Sequence, residues 1–190
     1  MKNKNLQLIV RTALLLAIAL LFQQLRLVIG TSLASTIVIG ALVNLALYVS
    51  AATVGWRGSI FVAILTPAVA ALQNHLPHPL LIPFVAAGNL ALVIGFELVE
   101  RRSNSTLRMG TGVAVASVLK TAALYCLVVL LFVPAILPGL GLPEQKVMGM
   151  TAALKLSFTW PQLVTALIGG VVAIPVIKAV RRALEQRGNA

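Results

Sequence analysis

Six stretches of the chain are almost entirely apolar, and each approaches or reaches the length of a membrane-spanning helix. An α-helix rises about 1.5 Å per residue, so about 20 residues cross a hydrocarbon core of roughly 30 Å. The pattern predicts an all-α, polytopic membrane protein in which residues 1–190 form one integral membrane domain. The six predicted spans are residues 7–25, 34–54, 58–73, 80–99, 111–133 and 161–178.

The third predicted span is the shortest, and Pro67 lies inside it. A re-entrant hairpin formed with the fourth span is therefore the alternative to a full crossing. The first span follows a short basic segment, and no small-residue cleavage site follows it, so we expect a retained helix rather than a cleaved signal peptide.

Composition supports a membrane environment. The chain is 59% hydrophobic and 10% charged, with a mean hydropathy of +1.01, which leaves too little polar surface to cover a soluble globule. The net charge of +11 comes from short basic clusters between apolar runs without an aromatic-rich basic face, so no nucleic-acid partner is predicted. The only cysteine, Cys126, rules out a disulfide framework.

The basic residues are distributed asymmetrically around the six predicted spans. Positive residues concentrate in the cytoplasmic loops of membrane proteins. This predicts that both termini are cytoplasmic. Residues on the terminal side are Lys2, Lys4, Arg11, Arg57, Arg101, Arg102, Arg108, Lys178, Arg181, Arg182 and Arg187; those on the opposite side are Arg26, Lys146 and Lys155.

Lys120 is the one basic residue placed deep within a predicted span, about nine positions into the fifth one with apolar neighbours on both sides. A lysine at the centre of a membrane helix costs roughly 2.5–3.5 kcal/mol on insertion scales. Two interpretations remain open. Lys120 pairs with Glu97 or Glu100 near the inner end of the fourth span, or it is the counter-ion of an acidic ligand.

Other polar and small residues lie within the spans. Asn89 and Asn44 fall near the middle of their helices and must be hydrogen-bonded there, either between helices or, for Asn89, to a ligand. Small residues four apart predict close helix contacts, or in the first helix the docking of a partner subunit. The pairs are Ala13 with Ala17 and Ala166 with Gly170, and Gly40 lies four residues before Asn44.

The predicted outer links are richer in polar and aromatic residues. Gln73, Asn74, His75 and His78 crowd one link, and Trp160-Pro161-Gln162 opens the last helix, so these groups can surround a ligand mouth. The histidines lack a third ligand and make a poor metal site. The link over 134–160 predicts a long loop able to cover a cavity, with an interfacial amphipathic helix over 144–158.

Sequence motifs for enzymatic chemistry are missing. The sequence has no phosphate-binding loop, no His-Glu-x-x-His zinc motif and no Gly-x-Ser-x-Gly elbow. Only four acidic residues are present, and of these only Glu97 falls plausibly within a span. We therefore predict neither an enzyme nor a bound cofactor or metal.

Several stretches resemble the substrate-binding S components of energy-coupling factor (ECF) transporters, the vitamin-uptake systems of prokaryotes. The resemblance covers nearly the whole chain. The matching stretches are Thr12-Ala13-Leu14-Leu15-Leu16-Ala17, Gly40-Ala41-Leu42-Val43-Asn44, Pro83-Phe84-Val85-Ala86-Ala87-Gly88-Asn89, and Trp160-Pro161-Gln162 running to Gly169-Gly170.

This resemblance implies a six-helix S-component bundle in the prokaryotic cell membrane. Such a subunit captures a vitamin or similar micronutrient from outside and works with a transmembrane coupling subunit and two cytoplasmic ATPases. An alanine-x-x-x-alanine pattern that contacts the coupling subunit maps onto Ala13 and Ala17. By position, the substrate-binding candidates are His75, Asn89, Tyr125, Trp160 and Gln162, to which the residue pattern adds Lys120; the substrate itself stays open.

Two other classes of function remain possible from the sequence. One is a stand-alone secondary transporter that uses Glu97 and Lys120 as a proton relay. The other is a structural or assembly membrane protein without a ligand, since every polar residue named above also has a packing explanation.

Overall fold

A computed structural model of the chain describes residues 4–30, 32–101 and 104–188, and every regular element among them is helical. Two short 3₁₀ helices lie at Pro79–Leu81 and Leu137–Leu140, and a π-helical segment at Tyr125–Ile136 continues α5. The α-helices are α1 Lys4–Gln24, α2 Arg26–Ile29, α3 Leu33–Leu72, α4 Ile82–Glu100, α5 Thr106–Leu124, α6 Glu144–Ser157 and α7 Trp160–Gly188.

Five helical stretches in this part of the chain are long and apolar enough to cross a membrane. They confirm the prediction of an all-α, multi-pass membrane protein. Their number is one fewer than the six predicted spans because the second and third predicted spans lie in one continuous stretch. The stretches are Asn5–Ile29, Leu33–Leu72, Pro79–Glu100, Thr106–Leu140 and Glu144–Gln186.

Helix α3 has 40 residues and is interrupted at Gly55. At about 1.5 Å per residue, a straight helix of this length would measure about 60 Å, twice a hydrocarbon core. Gly55 has φ +74° and ψ 178°, outside the helical region, a backbone conformation that favours glycine. The kink separates residues 34–54 from 58–73, the two predicted spans.

The predicted loop over 134–160 is largely helical. The fifth predicted span ends at residue 133, just before Pro134, and a proline inside a helix removes a backbone hydrogen bond. The helix instead passes through Pro134 in π-helical form and reaches Ile136. Helix α6 then occupies the region expected to be an amphipathic helix, with Leu154 buried and Lys146 and Lys155 exposed.

Both ends of the bundle can be identified from the residues that share its surfaces. Leu6 and Gln7 of α1 line one apolar groove together with Val180 and Leu184 of α7. The start of α1 and the end of α7 therefore lie at the same end, which we call the terminal end. We call the opposite end the distal end.

The core contains two clusters of buried side chains. The larger one is centred on Tyr48 and Phe96, whose rings meet edge to face with their centroids 5.0 Å apart. The second lies near the distal end, where Phe132 of the π-helical segment packs with Leu154 and Phe158. The distal helices α5 and α6 are thus held together by apolar contacts.

Glycines allow α3 and α7 to pack closely. A Cβ atom added at Gly40 would lie 2.9 Å from the methyl group of Thr165. One added at Gly169 would lie 2.9 Å from the backbone nitrogen of Leu45 and would also meet the Ala41 carbonyl oxygen. The close contact expected of Gly40 is present, and it brings the middle of α3 next to the start of α7.

A buried ion pair joins helices at the terminal end. The guanidinium of Arg181 on α7 lies 2.7 Å from a carboxylate oxygen of Glu100 at the end of α4. Arg181 also donates a hydrogen bond of 2.8 Å to the carbonyl oxygen of Ala52 on α3. Glu100 is fully buried, so this pairing compensates its charge.

We expect Gly169→Ala to destabilise the protein by about 1–3 kcal/mol, because the new methyl group would press against backbone atoms that cannot rotate away. Thermal unfolding in detergent, followed by circular dichroism, measures the loss. Gly149→Ala on α6 is the matched control, since its added Cβ meets nothing within 4 Å. Equal melting temperatures for the two variants would contradict the proposed close contact.

Candidate ligand-binding site

The buried ammonium of Lys120 is the centre of a polar cluster. Its Nζ donates hydrogen bonds of 2.6 Å to Asn44 Oδ1 and 2.9 Å to Asn89 Oδ1, and all three residues are at most 5% exposed. The hypothesis that Lys120 pairs with Glu97 or Glu100 is wrong, because the ammonium is hydrogen-bonded to the two asparagines, and Glu100 is paired with Arg181. Two neutral amides from neighbouring helices hold the lysine instead.

The remaining amide hydrogens tie this cluster to other helices. Asn44 Nδ2 donates to Thr165 Oγ1 on α7 at 3.2 Å, and Asn89 Nδ2 donates to the Ala63 carbonyl oxygen on α3 at 3.3 Å. Each asparagine therefore turns its oxygen toward the lysine and its nitrogen toward another helix. The cluster connects α3, α4, α5 and α7.

A cavity of about 170 Å³ opens beside this cluster in the distal half of the bundle. It lies below the roughly 300–1,000 Å³ typical of pockets for drug-sized ligands. The polar residues around it come from all seven α-helices and from the link between α3 and α4. They are Gln23, Arg26, Thr36, Asn44, Thr66, His75, Asn89, Lys120, Ser157, Gln162 and Thr165.

Gln23, near the end of α1, lines the cavity and has an unused buried acceptor. Its Nε2 donates to the Thr66 carbonyl oxygen at 3.3 Å. A carbonyl only accepts hydrogen bonds, so the amide nitrogen must face Thr66 and the amide oxygen must point elsewhere. Oε1 is buried and has no hydrogen-bond partner in the described part of the chain, while the whole residue is 8% exposed.

Arg26 and His75 lie together in the same cavity wall. The guanidinium of Arg26 donates to the His75 carbonyl oxygen at 3.3 Å, which ties α2 to the link after α3. Burial lowers the pKa of the His75 imidazole, and the positive charge of Arg26 lowers it further. His75 is therefore the neutral member of this pair at neutral pH.

The cavity wall is positively charged. It includes Lys120 and Arg26, and no aspartate or glutamate is among the described residues that line it. Glu97 lies eight residues beyond Asn89 on α4, about 12 Å further along the helix toward the terminal end. No group of three or more histidine, cysteine, aspartate or glutamate side chains suited to a metal ion occurs within the described ranges.

The structure brings four of the six predicted binding residues to this cavity: His75, Asn89, Lys120 and Gln162. Tyr125 and Trp160 are not among its lining residues and are 41% and 49% exposed. Trp160 lies at the start of α7 and Tyr125 lies where α5 continues as the π-helical segment, and the sequence does not fix the rotation of either helix. The role of these six residues in binding stays a prediction.

The sequence analysis missed several residues of the cavity. Asn44 was recognised as a buried amide but was not assigned to a site, although its depth matches that of Asn89. Gln23 falls at the end of the first predicted span. Arg26 was counted among the basic residues opposite the terminal side. Thr66 and Thr165 carry no distinguishing sequence pattern, since threonine is common in membrane helices.

Ala13 and Ala17 lie elsewhere, on α1. Both are exposed, together with Leu14 between them and Leu21 further along the helix. They form a surface of small and apolar side chains that no described helix covers. Their predicted contact with a coupling subunit stays a prediction.

These observations define a multi-pass helical membrane protein with a small polar cavity among its helices. Residues 7–181 match the sequence-family model described as ECF transporter, substrate-specific component. The chain therefore belongs to this family, whose members are transport components rather than enzymes. No curated protein and no solved structure matches the chain significantly.

We expect His75 to be neutral at pH 7, with a pKa below the ordinary value of about 6.5. Its contribution to stability is then complete above about pH 6.5 and is lost as the pH falls through the folded-state pKa.

NMR titration in a His78→Gln background isolates this imidazole, since the chain has two histidines. Arg26→Gln should raise the midpoint, whereas Arg108→Gln at the terminal end should not. A midpoint above about 6.5 would contradict the assignment.

Proposed function

We propose that this protein is the substrate-recognition subunit of an ECF-type importer. It captures a vitamin or similar small micronutrient from outside and delivers it with a coupling subunit and two cytoplasmic ATPases. Membership of the family supports a substrate-specific transport subunit. The observation that carries the proposal is the cavity beside Lys120, Asn44 and Asn89, because a packing function alone does not require a cavity lined by polar groups from so many helices.

We further propose that the chain forms one membrane domain with six crossings in the prokaryotic plasma membrane and with both termini cytoplasmic. In this topology α3 crosses twice and turns at Gly55, where Arg57 adds a positive charge to a short cytoplasmic link. The cavity then opens toward the outside. The excess of basic residues on the terminal side supports this orientation.

Cysteine labelling in intact cells tests this topology, because the chain has a single cysteine that can be removed by Cys126→Ser. We expect Lys146→Cys to react with a membrane-impermeant maleimide and Arg57→Cys to react only after permeabilisation. If α3 crossed once, five crossings would place residue 146 inside. Labelling of Arg57→Cys in intact cells, or its absence at Lys146→Cys, would contradict six crossings.

Substrate binding and contact with the coupling subunit are assigned to two separate parts of the molecule. The distal cavity binds the substrate, and the exposed face of α1 with Ala13 and Ala17 contacts the coupling subunit. Small side chains let two helices approach closely within a membrane. Since the face lies outside the cavity, a change there should leave substrate binding intact.

We expect Ala13→Leu combined with Ala17→Leu to reduce substrate uptake at least about tenfold, because the larger side chains hold the coupling subunit away. The amount of substrate bound by the purified protein should not change. Uptake in cells and ligand content by native mass spectrometry measure the two properties. Ala114→Leu combined with Ala122→Leu on the exposed face of α5 is the matched control.

Two results would favour other functions. Ionophore-sensitive uptake in cells without any energy-coupling ATPases would indicate the secondary transporter, although Glu97 does not line the cavity that Lys120 lines. Purified protein that neither carries nor binds a small molecule would indicate a structural membrane protein. Loss of binding in the Ala13 and Ala17 double variant would contradict the division of labour.

A further inference from the structure

We propose that the substrate is a small organic anion, a monocarboxylate that also carries an N–H or O–H hydrogen-bond donor. This inference rests on the proposed function, since it assumes that the distal cavity holds the transported molecule. It names the chemical class that the cavity recognises. Three features of the described residues carry it: the charge of the cavity wall, the hydrogen-bonding capacity of Lys120, and the unused acceptor of Gln23.

The first feature is charge. Lys120 is 5% exposed, and its two hydrogen-bond partners are neutral amide oxygens. Amides orient the ammonium but do not neutralise it, and an uncompensated buried charge is costly. None of the chain's four acidic residues lines the cavity within the described ranges. A ligand that brings one negative charge supplies the missing counter-ion.

The second feature is the number of donors on the ammonium. A lysine ammonium carries three N–H groups. Two of them are donated to Asn44 and Asn89, and Lys120 lines the cavity, so one donor remains for a ligand. A carboxylate oxygen at this position would make a charge-assisted hydrogen bond, which is roughly twice as strong as a neutral one.

The third feature requires a donor on the ligand. Gln23 Oε1 is buried, faces away from Thr66 and has no hydrogen-bond partner among the described residues. Leaving a buried acceptor unpaired is destabilising. An amide or hydroxyl hydrogen on the ligand would satisfy it. A simple inorganic anion without hydrogens would not.

Cavity size and charge also distinguish a monocarboxylate from a phosphate ester. A volume of about 170 Å³ accommodates only a compact molecule. A phosphate group carries up to two negative charges and three acceptor oxygens near pH 7. The cavity offers one deeply buried cation, and the second, Arg26, is only partly buried and also hydrogen-bonded to His75. A single carboxylate matches the buried charge.

Affinity selection with yeast extract as the probe tests this inference. The purified full-length protein is incubated with the extract, washed and denatured, and the released compounds are separated by anion exchange at pH 7. Treatment with a carboxyl-methylating reagent followed by mass spectrometry then counts their carboxyl groups. We expect the retained compound to be an anion that gains one methyl group.

Two pairs of variants test whether Lys120 and Gln23 contact the retained compound. We expect Lys120→Met to retain at least about 30-fold less of it, since truncating one partner of a buried, hydrogen-bonded charge pair costs 2 kcal/mol or more. Lys155→Met is the matched control, because Lys155 is exposed on α6 and does not line the cavity. Circular dichroism checks that both variants fold.

A second pair of variants keeps the test decisive if Lys120→Met does not fold. Gln23→Glu changes the shape little but places a carboxylate at the cavity, so it should repel an anionic compound and lower its retention at least about tenfold. Gln24→Glu, at the neighbouring residue outside the cavity lining, should retain it like the wild type.

The possible outcomes separate this inference from the proposed function. A retained compound that is neutral, cationic or a phosphate ester would overturn the inference and leave the transport function standing. Equal retention by Gln23→Glu and the wild type would also overturn it. A wild-type protein that retains no compound from the extract would contradict the proposed function itself.

Discussion

The interaction on which the structure depends is the hydrogen bonding of the Lys120 ammonium to two asparagine oxygens within the apolar bundle. A lysine in this position is costly unless polar groups from other helices surround it. Asn44 and Asn89 meet this requirement only if α3, α4 and α5 converge at one depth. Their amide nitrogens extend the same constraint to Thr165 on α7 and to the backbone of α3.

Close packing makes this convergence possible. Gly40 and Gly169 let α3 approach α7 to a distance that side chains larger than hydrogen would prevent. At the terminal end, Arg181 joins α7 to Glu100 and to the backbone of α3. The bundle is thus held by an ion pair at one end, by small residues along its length and by the lysine cluster where the cavity begins.

The positions of the polar groups explain how one small chain can combine a membrane environment with recognition of a polar molecule. The face of α1 with Ala13 and Ala17 is apolar and exposed, as lipid or a partner helix requires. The polar groups turn inward around a cavity, where each hydrogen bond is strengthened by the low dielectric surroundings. The polar cavity and the exposed face of α1 therefore occupy separate surfaces, and neither needs ionisable residues on the lipid-facing side.

The sequence alone indicates the class of protein, the apolar segments and the cost of Lys120, because these follow from helix length and from the energetic cost of burying charge. It also indicated Asn89 and His75 as residues of interest. Tertiary packing was needed to show that Lys120 is held by Asn44 and Asn89 while Glu100 is paired with Arg181, that the fifth helix continues through Pro134 to Ile136, and that Gln23 lines the cavity. The physical reason is that the rotation and tilt of each helix follow from packing against its neighbours, which periodicity alone cannot specify in a segment that is apolar on every face.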